Sequence, residues 1–165
     1  MALDAFIKIG DIKGGATDEK HKEWIDVLSF SWGTSLADGG RMAGGGAMTQ
    51  AGKATGAPVQ ITKPVDKGTP LLYQACASGQ HIGEVLVEFT TGGARDLKYL
   101  TVKMTDCLIS SVQHGWSTGG TDHSENITIN YSKLWLTMQP VDPLKGTALG
   151  GKVETSWDFS AQKKG

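Results

Sequence analysis

EWIDVLSFSWGT, running from Glu23 to Thr34, puts Trp24, Leu28, Phe30 and Trp32 on one side of the chain and Ser29 and Ser31 on the other. Alternation at period two, with aromatic residues on a single side, is the pattern of a strand half buried against a core. The pattern recurs along the chain. Ala5 to Ile12, Pro58 to Val65 and His81 to Thr90 read as strands, the last with Val85, Val87 and Phe89 inward. A long strand follows from Asp96 to about Gln113, with Leu100, Val102, Met104, Leu108 and Val112 on one face. Glu125 to Met138 alternates through Ile127, Ile129 and Tyr131, then changes phase near Lys133, so that Leu134, Leu136 and Met138 take the other parity. A one-residue phase change predicts a β-bulge or a strand covered on both faces. Lys152 to Ser160 makes a last strand.

One helix interrupts this series. Thr69 can cap its first turn, Pro70 suits the first helical position, and Gly79 suits the left-handed residue beyond its end. Leu71, Leu72, Ala75 and Cys76 supply its apolar stripe, and so short a helix must pack on a sheet to persist. About seven strands and one helix indicate a β-barrel or a tightly packed sandwich.

Ala37 to Gly56, ADGGRMAGGGAMTQAGKATG, has no hydrophobic period. Connections usually run to roughly 4–6 residues, and longer ones belong to function or disorder. Its residues are small and backbone-rich, which fits contact with a protein surface better than chemistry. We expect Gly39 to Gly56 to dock on a neighbouring molecule. Met42 and Met48 would be adaptable apolar anchors, and Gly39, Arg41, Gly45, Gln50 and Lys53 would contribute to the same contact.

The chain has 165 residues, enough for one core, and we expect a single domain over residues 1–165. Its 16 basic and 17 acidic residues give a net charge of -1 and form no basic block, so nucleic acid is not an expected partner. The first residues, MALDAFIKIGDIKGG, lack the n-region, h-region and cleavage site of a secretory signal. No stretch approaches the roughly 18 apolar residues of a membrane helix, and the chain is expected to be made, soluble, in the cytoplasm. Cys76 and Cys107 are expected to be buried free thiols. Five tryptophans and 23 glycines point to flat side chains packed over tight corners.

Several motifs tempt and fail. Gly115-Trp116-Ser117-Thr118-Gly119 matches G-x-S-x-G, but a nucleophile elbow turns from strand into helix, and here Gly-Gly and another strand follow. Gly46 to Ala54 departs from the phosphate-loop spacing, and Ala54 stands where a hydroxyl should hold magnesium. Asp122, His123 and Glu125 read as solvated strand-end residues. No catalytic, cofactor-binding or metal-binding residue is expected.

Read together, FIKIGDIKG (Phe6 to Gly14), HKEWIDVLSFSWG (His21 to Gly33) and TKPVDKGTPLLYQACASGQHI (Thr62 to Ile82) resemble the Hcp family. These are the haemolysin-coregulated proteins of bacterial type VI secretion. YLTVKMTDCLISSV (Tyr99 to Val112), ENITINYSKLWL (Glu125 to Leu136) and TSWDFSAQKK (Thr155 to Lys164) continue the likeness in order. The resemblance implies a mainly β chain forming a small closed β-barrel with one flanking helix and a long extended loop. It also implies a homohexameric ring that stacks into a hollow tube, meets sheath, baseplate and spike components, and carries small effectors in its lumen. The tube would assemble in the bacterial cytoplasm and leave without a cleavable signal, and the chain would be a plain tube subunit rather than a toxin fusion. Ser29 and Ser31, opposite the aromatic side of their strand, would face the lumen. A monomeric ligand-binding β-barrel is the alternative; a hydrolase rests on Ser117 alone.

Overall fold

The computed structural model describes residues 3–37, 52–92 and 97–165. Nine strands and one helix follow in the order β1 (Asp4–Ile9), β2 (Ile25–Asp26), β3 (Ser29–Leu36), β4 (Ala54–Pro64), α1 (Thr69–Ser78), β5 (His81–Thr90), β6 (Lys98–Gly115), β7 (Ser124–Asn130), β8 (Lys133–Met138) and β9 (Val153–Asp158). The ladder runs β2-β1-β5-β6-β7-β4-β3, with β8 on β6 and β9 on β8. All of these pairings are antiparallel.

The sheet is built around β6. Val102 and Met104 are buried, and then Cys107 and Ile109 are, so the inward parity flips between them; it flips back at the bulge between Ile109 and Ser111, beyond which Val112 packs on the core. At the first flip stands Asp106, with φ of 53°, a left-handed conformation that L side chains rarely take. Its level on the partner is Ser132, because Thr105 faces Lys133 and Leu108 faces Asn130. Both alternations turn over at one level, so the expected continuous strand from Glu125 to Met138 is two strands. The first half of β6 lies between β5 and β8, and the second half pairs with β7. Inward-facing Leu100, Val102 and Met104 are as expected, but Leu108 is not: it is 38% exposed, on the wrong side of the flip.

The expected closed barrel is not formed by the ladder. Its two ends, β2 and β3, are open edges, yet they are neighbouring parts of one segment. Val27 N–H donates to Ala5 O on β1 at 3.0 Å, and Leu28 N–H donates to Thr62 O on β4 at 2.8 Å. The chain thus passes from one sheet end to the other at consecutive residues. Leu28, expected inward, is exposed at this crossing, and Ile25 is buried instead.

Ile7, Ile9, Ile61, Ile127 and Ile129, with Val59, Val85, Val87 and Val102, fill the interior. Burial of each such side chain contributes roughly 1.5–3 kcal/mol. Tryptophan does not fill it: Trp32, Trp116 and Trp157 are exposed, and Trp24 and Trp135 are half-buried. β-branched side chains suit a pleated surface better than an indole, which needs a wide gap and a partner for its N–H.

Helix α1 packs against β6 and buries Leu72 and Ala75, with Cys76 half-buried and Leu71 exposed. Gly79 ends it in the left-handed conformation, φ 65°. The start differs from expectation. Gly68 occupies the cap position, no side chain caps the first turn, and the Thr69 hydroxyl is engaged elsewhere.

Candidate functional site

The second half of β6 joins β7, β4 and β3 in a four-stranded face whose inward side is core. Its outward side carries two aligned rows. Ser29, Thr62, Asn126 and Gln113 stand opposite one another in one row, and Ser31, Gln60, Thr128 and Ser111 in the next. The Thr62 hydroxyl donates to Asn126 Oδ1 at 2.7 Å. A hollow of about 170 Å³ lies over β4 between these rows. Ser29 and Ser31 are therefore on this face and exposed, opposite Phe30, as the alternation requires.

This face ends in two edges without a strand partner among the described residues. β3 pairs only with β4, and β5 stops opposite Leu108, so no strand among the described residues pairs with the far side of β6 from Ile109 to Gly115. The β3–β4 hairpin also reaches further than expected: β4 starts at Ala54, and Ala37 N–H donates to Lys53 O at 3.4 Å. Lys53 is exposed there. Gly39, Arg41, Met42, Gly45, Met48 and Gln50 lie outside the described residues.

Under the face sits a brace that the sequence reading missed. Lys63 and Glu125 are cross-strand partners, both 0% exposed, and form an ion pair. Lys63 Nζ also donates to Pro64 O at 2.7 Å and to Asp66 Oδ1 at 3.0 Å. The Thr69 hydroxyl donates to Glu125 Oε1 at 2.9 Å and accepts the Asp66 N–H at 3.1 Å. His114 Nε2 lies 2.7 Å from Glu125 Oε2, at ion-pair distance though not aligned as a hydrogen bond. The brace ties the start of α1 to β4, β6 and β7. Glu125 is thus not a solvated strand-end residue, whereas Asp122 and His123 are exposed. The signal was available: Lys63 shares the inward parity of Ile61, and Glu125 that of Ile127 and Ile129.

A second buried polar group covers the outer side of β1 and β5. The His21 ring stacks on Phe6 with centroids 4.4 Å apart. Its Nδ1 meets Asp18 at 2.7 Å and its Nε2 meets Glu88 at 2.8 Å. The contact with His21 holds the Asp18 carboxyl below the ordinary carboxylate range.

Ser117 lies in the turn between β6 and β7, where Gly120 N–H donates to Ser117 O at 3.3 Å, and no helix follows it. This is the glycine-rich hairpin expected of it. An apolar groove of about 620 Å³ opens between the exposed edge of β3 and β9, over Tyr131, Leu134, Leu136 and Phe159.

Comparison with known proteins decides the class. Residues 6–138 match the family model described as type VI secretion system effector, Hcp. The chain belongs to the Hcp family. It is 40% identical over 160 residues to protein hcp1 of Pseudomonas aeruginosa, with 96% of each chain covered. Among solved structures it is similar to a type six secretion system protein at TM-score 0.88 and 31% identity, covering 99% of this chain and 100% of the other. Hcp1 of Salmonella typhimurium gives TM-score 0.80 at 28% identity, with 99% of each chain covered. The open nine-stranded sheet with one helix is thus an Hcp fold, and the family's place in type VI secretion is shared by this chain.

Proposed function

We propose that the chain is the repeating subunit of a type VI secretion tube, in which a hexameric ring closes by head-to-tail contact and rings stack around a continuous lumen. One observation carries this reading: the polar face is bounded on opposite sides by two strand edges that no strand among the described residues pairs, β3 on one side and the Ile109 to Gly115 stretch of β6, beside α1, on the other. An unpaired edge is a template for another chain, and proteins that do not use it blunt it with charge, proline or a covering element. Different edges meeting by a rotation make a heterologous contact, which forms a ring when the rotation closes. If β3 of one copy meets the Ile109 to Gly115 edge of the next, the barrel left open within one chain closes between chains, with Ser29 and Ser31 on the inner wall.

The segment joining β3 to β4 then contacts the neighbouring ring, and the assembled tube is exported with effectors inside. Negative-stain electron microscopy of the purified chain tests the first step. Six-fold rings with a central hole are expected, and compact particles without a hole contradict the proposal. Deleting Arg41 to Lys53 should leave rings but weaken their stacking; unchanged tubes would remove the loop from the account.

The groove of about 620 Å³ favours the ligand-binding alternative, because small-molecule sites have that size and apolar character. That reading predicts a monomer, so ring formation separates the two.

A further inference from the structure

We infer that the face formed by β3, β4, β7 and the second half of β6 selects protein cargo of low surface charge, and holds it by neutral hydrogen bonds rather than by ion pairing. The inference rests on the tube reading and adds the chemistry of what the wall accepts. Charged residues make up 20% of the chain, yet neither four-residue row contains one. The adjacent positions toward the β6–β7 turn, Pro64, Ser124 and Gly115, are uncharged as well.

The contrast within the same sheet is sharp. On β5 and the first half of β6, Glu84 pairs with Lys103 at 3.4 Å and Glu88 with Lys98 at 2.8 Å. Beneath the neutral face, the Lys63 ammonium is turned inward and spent on Glu125 and Asp66, so its charge is not presented outward. What remains is a tile of hydroxyl and carboxamide groups, each able both to donate and to accept. Such a wall meets uncharged polar groups on a partner without loss. A partner's charged side chain pressed against it gives up water and gains no counter-charge, which is unfavourable. Electrostatic complementarity governs salt dependence, and here there is none to screen.

The test uses three variants of one small single-domain protein, with net charges of about -8, 0 and +8 set by surface substitution. Their retention by sedimented wild-type assemblies is measured at about 50 and about 500 mM NaCl. The neutral variant should be retained at least ~5-fold better than either charged one, with less than ~2-fold change across the salt range. Assemblies carrying Gln60→Lys should keep their size, favour the acidic variant, and lose that preference at high salt. Equal retention of all three, retention of none, or no change with Gln60→Lys overturns the inference. Light scattering on the same samples separates the two levels: a chain that forms no ring sinks the tube reading, whereas rings blind to cargo charge sink this inference alone.

Discussion

Lys63 and Glu125 face each other across the β4–β7 ladder as a fully buried ion pair. Two charges taken out of water gain from each other only when their remaining hydrogen-bonding capacity is also met, and here Asp66, Thr69 and the Pro64 carbonyl meet much of it. Removing one partner strands the other. Lys63→Met is expected to cost about 3–5 kcal/mol, while Lys63→Met with Glu125→Leu should recover at least half of that. Urea unfolding of the two variants beside wild type measures both values, and a double variant no better than the single one contradicts the pairing.

Gly14 and Gly79 separate two reasons for glycine. A Cβ on Gly14 would lie 2.5 Å from Trp24 O and from Ile25 Cγ1, so alanine there must displace backbone. A Cβ on Gly79 meets nothing within 4 Å, and only its φ of 65° resists alanine. Gly79→Ala should cost roughly 1 kcal/mol, the usual left-handed penalty, and Gly14→Ala distinctly more. Thermal melting ranks them, and the reverse order would show that the loop over β2 yields easily.

Cys107 is completely buried on β6, and burial pushes its thiol up to about 12, with the charge of Asp106 adding to the effect. A thiol held protonated is a poor nucleophile. Iodoacetamide at mildly alkaline pH should therefore modify half-buried Cys76 first and reach Cys107 only after unfolding. Peptide mass spectrometry reads the order directly, and early Cys107 labelling would mean that β6 opens in the native state.

Asp18 links stability to acid. Its contact with His21 lowers its folded pKa, so its contribution is fully present above the ordinary carboxylate range and fades as pH falls through the lowered value. Asp26 carries the opposite sign, because burial raises its pKa. Asp18→Asn should flatten the fall in melting temperature below about pH 4. An unchanged acid limb would assign that fall to other carboxylates.

Most of the strands were legible because one side of each is core, and alternation records that. Pro70 and Gly79 likewise marked the ends of α1. The split between β7 and β8 was visible as a phase change, but its cause was not. Asp106 flips β6 at the same level, and an aspartate in sequence does not announce a left-handed backbone. The brace was missed for a related reason. Lys63 and Glu125 each look like a solvated charge until strand register places them opposite one another. Parity alone placed Ser29 and Ser31 on the side opposite Phe30, whereas Gln60, Thr62, Asn126 and Thr128 join them only through pairing between strands distant in sequence. Trp32 shares the parity of core-facing Phe30 and is exposed all the same, because an indole needs a wide gap and a partner for its N–H.

Molar mass by light scattering across a concentration series shows whether copies of this chain close a ring through the β3 and β6 edges. Six copies of a 17.5 kDa chain predict a species near 105 kDa that persists on dilution. A single species near 17.5 kDa at every concentration would mean that the edges do not join copies and that the chain is a monomer.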